Sequence, residues 1–192
     1  DSGVLEPVAH QVYGFKHQMF QEYLVAVALA RRCVDKTQRQ STWELLWRKR
    51  RLSRWNEILC LLVGILVQNH GTEGLQVAHE WLSALALEYS TPEGDPGNLC
   101  LILALKSLGE FGEHALEAEV ADLAQHIMEI WEKTFVELLR QRGWNYVQPL
   151  RKHAAILCTF SLQIVAPIIM RLQQHDHAIQ NFFYIPPASG VI

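Results

Sequence analysis

Along most of the chain apolar residues recur every three or four positions, the period of a helix that buries one side. Met19, Phe20, Tyr23, Leu24, Val27 and Leu29 predict a first helix over residues 16–34. Residues 35–42 are polar and break the pattern, and a short helix is expected over 42–50. Ser53 is placed to cap the next helix, with Asn56 and Glu57 in its first turn. That helix runs through Ile58, Leu59, Leu62, Ile65 and Leu66 and ends near Gly71. Residues 72–89 carry Leu75, Ala78, His79, Leu82 and Leu85 on one face. The stretch 90–98, STPEGDPGN, reads as a loop. A short apolar helix is expected over 99–108, broken by Gly109 and Gly112. A long amphipathic helix follows over 113–140, with Leu116, Val120, Leu123, Ile127, Trp131, Phe135 and Leu138 as its stripe. Gly143 ends it. Pro149 precedes a further helix over 150–174, kinked at Pro167, and 181–192 reads as an extended tail.

The first fifteen residues differ. Gly3, Pro7 and Gly14 punctuate two β-friendly pieces, 3–5 and 11–15, which predict short strands in the form of a β-wing. The expected fold class is therefore mainly α, with a short N-terminal β-wing. Helices come in consecutive pairs at intervals of roughly 40 residues, the spacing of a HEAT-like α-solenoid or an irregular helical bundle. Two regions are expected: 1–34, the wing and its linking helix, and 35–192, the helical array.

Composition narrows this picture. The chain has 192 residues, 49% of them hydrophobic and 19% charged, with mean hydropathy +0.03. Disorder, collagen and rod-like coiled coils are excluded. Four widely spaced cysteines, with no C-x-x-C, argue for buried thiols in a reducing, cytoplasmic setting and against a disulfide scaffold. No basic and apolar leader opens the sequence. The apolar run 58–67 is too short to span a bilayer, and Thr159, Ser161, Gln163 and Pro167 interrupt the run 154–170, so no membrane partner is expected.

One stretch carries more specific information. Ser2-Gly3-Val4-Leu5 is followed by Tyr13-Gly14-Phe15-Lys16-His17-Gln18-Met19-Phe20-Gln21-Glu22-Tyr23-Leu24-Val25-Ala26. Read physically, Phe15 closes a strand, and Phe20, Leu24 and Val27 line one helical face that would pack on the wing. Gln21 and Glu22 fall in the first turns, where a carboxylate suits the helix dipole. Tyr23 combines an apolar body with a hydroxyl. His17 lies at the strand-to-helix junction. The stretch resembles the end of the winged-helix region of NACHT-type STAND NTPases, where a wing strand F-x-H runs into a helix F-Q-E-Y-L-x-A. His17, Phe20, Gln21, Glu22, Tyr23, Leu24 and Ala26 fall at the family's spacings, over about the first 30 residues.

The resemblance implies a non-catalytic regulatory region that relays nucleotide state to ligand sensing or oligomerisation. It implies that His17 reaches a phosphate of bound ADP in the closed state. ADP or ATP with Mg belongs to the intact protein in this reading, and no cofactor belongs to this chain. The sequence holds no G-x-x-x-x-G-K-[ST], so the NTPase domain is expected upstream of Asp1, as the first partner. A protein partner or self-oligomerisation would complete the relay.

Charge adds a second candidate. Residues 31–54 hold nine of the seventeen Lys and Arg against Asp35 and Glu44, a net +7 in a chain of net −3. Trp43, Trp47 and Trp55 interleave with them. Arg48, Lys49, Arg50, Arg51 and Arg54 form its basic patch, fit for a solvated or interdomain surface or for phosphate groups. The alternative function is thus a free-standing helical scaffold that binds protein or RNA through this segment. Other constellations carry less. Glu119, Asp122, His126 and Glu129 share a helix face but lack a second E-x-x-H helix. His175-Asp176-His177 offers two diverging ligands. His79-Glu80 does not continue to H-E-x-x-H, and no G-x-S-x-G occurs. No enzyme is expected in this chain.

Overall fold

A computed structural model describes residues 5–9, 12–15, 17–89, 99–111 and 118–142, together with the single positions 166 and 170. The expected loop 90–98, the tail 181–192 and all but two positions of the expected helix 150–174 lie outside these. The described chain is mainly helical. Strands β1 (Leu5–Ala9) and β2 (Val12–Phe15) precede α1 (Gln18–Val34), α2 (Arg39–Lys49), a 3-10 turn (Ser53–Trp55), α3 (Asn56–Asn69), α4 (Gly71–Tyr89), α5 (Leu99–Leu108) and α6 (Ala118–Arg142). The chain divides into two compact units, residues 1–123 and 124–192.

The two strands pair antiparallel, with Leu5 opposite Phe15 and Pro7 opposite Tyr13, and the register slips between Pro7 and Ala9. The first strand runs past the expected 3–5 to Ala9, and residues 3 and 4 lie outside the described residues. Pro7 read as a breaker, yet a two-stranded ladder is all edge, where a residue without an N–H is tolerated.

Helix α1 begins at Gln18, with His17 extended before it at φ −127 and making no side-chain cap. Glu22 lies beyond the first turn, where its carboxylate accepts the Gln18 Nε2 at 2.5 Å; the helix dipole therefore does not explain it. The buried stripe also differs from the expected one. It is Ala26, Leu29, Ala30 and Cys33, whereas Phe20 and Leu24 are 45% and 50% exposed. Small side chains at 26 and 30 let the backbone approach a neighbour closely, and α1 makes its widest contact with α3. Periodicity located a face of α1 but weighted it towards the larger residues.

The polar break is tighter than expected. The Asp35 carboxylate accepts the Thr37 N–H at 2.8 Å, the Thr37 hydroxyl at 2.7 Å and the Gln38 Nε2 at 2.7 Å. These hydrogen bonds, the Thr37 hydroxyl's first, hold its carboxyl below the ordinary range. The turn needs only residues 35–38, so α2 starts at Arg39 rather than at 42. Ser53 makes no side-chain cap; it opens the 3-10 turn, and α3 starts at Asn56.

Helix α3 buries Leu59, Cys60 and every residue from Leu62 to Val67. It touches α1, α4 and α5, so it forms the middle of the first unit. Each large aliphatic side chain buried there contributes about 2 kcal/mol. Helix α4 faces the core with Val77, Ala78, Trp81, Leu82, Leu85 and Ala86, and α5 buries Cys100–Leu105, Ser107 and Leu108 except Lys106. The Ser107 hydroxyl meets the Cys60 sulfur at 3.7 Å. Cys33, Cys60 and Cys100 are buried, and burial pushes the Cys33 and Cys60 thiols up to about 11. In the second unit, described over residues 124–142, α6 buries Ala124, Ile127, Met128, Ile130, Trp131 and Phe135. The Trp131 and Phe135 rings stack at 5.4 Å.

Two glycines shape the turn from α3 into α4. Gly71 takes φ +57, the left-handed geometry that ends α3 after His70. A Cβ on Gly74 would lie 2.1 Å from the Leu66 carbonyl oxygen, so α4 crosses the end of α3 in direct backbone contact. Gly74→Ala should destabilise by about 3 kcal/mol, seen as a lower urea midpoint. Gly71→Ala, with open space around it, should cost about 1 kcal/mol.

Glu110 leans over Gly64, with Oε2 2.8 Å from where a Cβ would stand. Burial, and then the Glu57 charge, raise its carboxyl above the ordinary range. The folded form therefore holds this proton more tightly than the unfolded chain. The resulting stability is present below the unfolded pKa and is lost as pH rises through the folded one. Glu110→Gln should be more stable than the parent at pH 7, with the difference shrinking towards pH 4 in thermal melts.

Candidate functional site

The motif residues around His17 occupy the open start of α1. His17 is exposed, with its ring 6.2 Å from that of Phe20. Met19, Phe20, Gln21, Tyr23 and Leu24 are exposed, Glu22 is partly covered and Ala26 is buried. Phe15 lies on β2, at the strand end opposite Leu5. Phe20 and Leu24, expected to pack on the strands, leave about half of each side chain open to solvent, while α1 does touch β2. Met19 and Phe20 lie next to Tyr23 and Leu24 across one turn, so four large apolar side chains form a stripe open to solvent.

The basic segment separates into two kinds of cation. Arg50 is built into the fold: its Nε donates to the Glu88 Oε2 at 3.1 Å, its Nη2 pairs with Oε1, and its Nη1 donates to the Trp47 carbonyl. Its guanidinium also lies 4.1 Å from the Trp47 ring centroid. Arg51 pairs with the same Glu88 carboxylate. Arg39 donates to the Cys33 carbonyl at 2.7 Å and pairs with Glu73 at 2.8 Å. Lys49 sits 5.7 Å from the Trp55 ring. Arg31, Arg32, Lys36, Arg48 and Arg54 are exposed. The expected run of five neighbouring cations at 48–54 is thus divided, with Arg50 and Arg51 spent on the α2–α4 clamp.

The tryptophans sit where α2 meets α4. Trp43 and Trp47 are half-buried, and their rings meet the buried Trp81 edge-on at 5.4 and 6.0 Å. The Trp81 indole N–H has no hydrogen-bond partner among the described residues. Outside this cluster runs an open groove of about 610 Å³, lined by Gln40, Trp43, Glu44, Trp47, Arg48 and Ala84. A second groove, about 440 Å³, shares Gln40 and Trp43 and extends to Lys36, Arg39 and Glu80. Sequence reasoning named Trp43 and Trp47 but missed Trp81 and Glu88. These two stand seven residues apart on one face of α4, a spacing visible in the sequence, but their pairing with α2 is a tertiary fact.

Among the described residues no group of three or more His, Cys, Asp and Glu is placed to hold a metal ion. Asp122 and His126 on α6 are exposed. His175, Asp176 and His177 lie outside the described residues. No helix among the described residues is long and apolar enough to cross a membrane.

The clamp has a measurable cost. Side chains of Arg50 and Glu88 are 14% and 11% exposed, so removing the carboxylate takes the ion-pair partner from a largely buried Arg50 guanidinium. Glu88→Gln should lower stability by about 3 kcal/mol in urea unfolding. Arg48→Ala and Arg54→Ala, on exposed positions, should stay within about 0.5 kcal/mol. No family of known proteins matches the chain, and no curated protein or solved structure is significantly similar to it.

Proposed function

We propose that the chain is the helical regulatory region of a NACHT-type STAND NTPase, relaying nucleotide state to ligand sensing or self-assembly without catalysing a reaction itself. The observation that carries this reading is the open apolar stripe of α1. Met19 is 72% exposed, and Phe20, Tyr23 and Leu24 are each about half exposed, on the helix turns that bear the family-like motif. Apolar side chains gathered in this way favour a covering partner. In this reading the partner is the upstream NTPase domain of the same polypeptide, and β1 and β2 are the wing that leads into it. The helices that follow would continue as HEAT-like pairs, in a cytoplasmic protein.

His17 supplies the chemistry of the relay. It is exposed at the start of α1, where backbone N–H groups face outward and favour an anion. An imidazole N–H there suits an ADP phosphate, with the rest of the nucleotide and its Mg held by the upstream domain. Such a contact favours the closed state only because the open state lacks it.

The test is nucleotide binding by the protein with its upstream region restored. His17→Ala should weaken ADP binding about tenfold, the loss of one charge-assisted hydrogen bond, and raise basal assembly in size-exclusion chromatography. Unchanged ADP affinity would make His17 structural. It would favour the second reading, a helical scaffold binding protein or RNA through residues 31–54, for which the exposed Arg31, Arg32, Arg48 and Arg54 are the supporting observation.

A further inference from the structure

We propose that the groove along α2 docks an acidic peptide segment with a central apolar anchor. This inference stands apart from the NTPase reading, since none of its residues belongs to the α1 motif. The two neighbouring grooves share Gln40 and Trp43, so together they form one track across the outer side of α2. Its middle is aromatic, supplied by Trp43 and Trp47. Its two ends are cationic, with exposed Lys36 at one and exposed Arg48 at the other. Helix α2 has 11 residues and is about 16 Å long, which about five extended residues would span.

The rigidity of this track is an argument for binding. Trp43 and Trp47 are held edge-on against Trp81, and Trp47 is held further by Arg50. Rings already fixed lose little freedom when a partner covers them. An aliphatic or aromatic side chain laid on them removes half-exposed indole surface from water. Carboxylates on either side then meet the exposed Lys36 and Arg48.

The same details disfavour a nucleic acid. Glu44 and Glu80 line the track, each accepting a hydrogen bond from a glutamine one turn earlier, Gln40 at 3.2 Å and Gln76 at 3.1 Å. These carboxylates would repel a continuous phosphate backbone. A peptide can place its uncharged centre beside them. The face of Trp47 covered by Arg50 is also closed to a stacking base.

The probe is a fluorescein-labelled peptide of about 12 residues, Asp and Glu at both ends and Leu-Phe-Leu at the centre, read by fluorescence polarisation against the full chain. Saturable binding is expected at low salt. Lys36→Glu with Arg48→Glu should weaken it at least about tenfold, and the milder Lys36→Gln with Arg48→Gln should weaken it less. Circular dichroism would verify that these surface variants stay folded. A probe with Ser-Ser-Ser at the centre should also bind about tenfold more weakly. Equal binding of the serine probe, or undiminished binding by both double variants, would overturn the proposal. So would the absence of saturable binding to the parent chain, or tighter binding of single-stranded oligo-dT that the same variants abolish.

Discussion

Helix α3 has little polar surface to offer water, and the first unit is arranged around that constraint. Eight of its fourteen residues are buried, six of them consecutive, which spreads the buried surface around the whole helix. Such a helix must be enclosed, and α1, α4 and α5 enclose it. Each neighbour meets it by a different device. Helix α1 buries Ala26, Leu29, Ala30 and Cys33, α4 presents a glycine against a carbonyl, and α5 is itself almost wholly apolar.

Helix α2 is held from outside this cluster, and by different physics. Its mean character is polar, and only Thr42 and Leu46 are buried. Besides its packing against α1, it is fixed by the contact of its tryptophans with Trp81 and by the shared carboxylate of Glu88. Charge and aromatic packing thus do at α2 what aliphatic burial does at α3. The consequence for the basic segment is direct. Part of its charge is structural, while Arg31, Arg32, Lys36, Arg48 and Arg54 reach solvent.

Much of the helical architecture was legible from the period of apolar residues. Residues 99–108 came out with the expected bounds, and α4 differs by one residue at its start. The misses fall where local chemistry outweighs period. The start of α2 depends on the Asp35 side chain closing a turn on Thr37 and Gln38. Ser53 has the residue type of a cap but stands in a 3-10 turn. In α1 the pattern weighted Phe20 and Leu24, whereas burial falls on Ala26 and Ala30, whose small size is uninformative on a hydrophobicity scale. The candidate surfaces were legible residue by residue and not as geometry. Sequence places Trp43, Trp47 and nine basic residues in one segment, but the split between clamp and surface needed Glu88, which lies 38 residues beyond Arg50.

The buried cysteines give the first unit a property of another kind. Cys33, Cys60 and Cys100 sit on α1, α3 and α5, one thiol on each of three core helices. With Cys33 and Cys60 raised to about 11, only about one sulfur in ten thousand is a thiolate at neutral pH in the closed fold. An electrophile or oxidant therefore meets these sulfurs chiefly when a helix has opened. Their reaction kinetics form a three-point internal record of how often, and where, the core breathes.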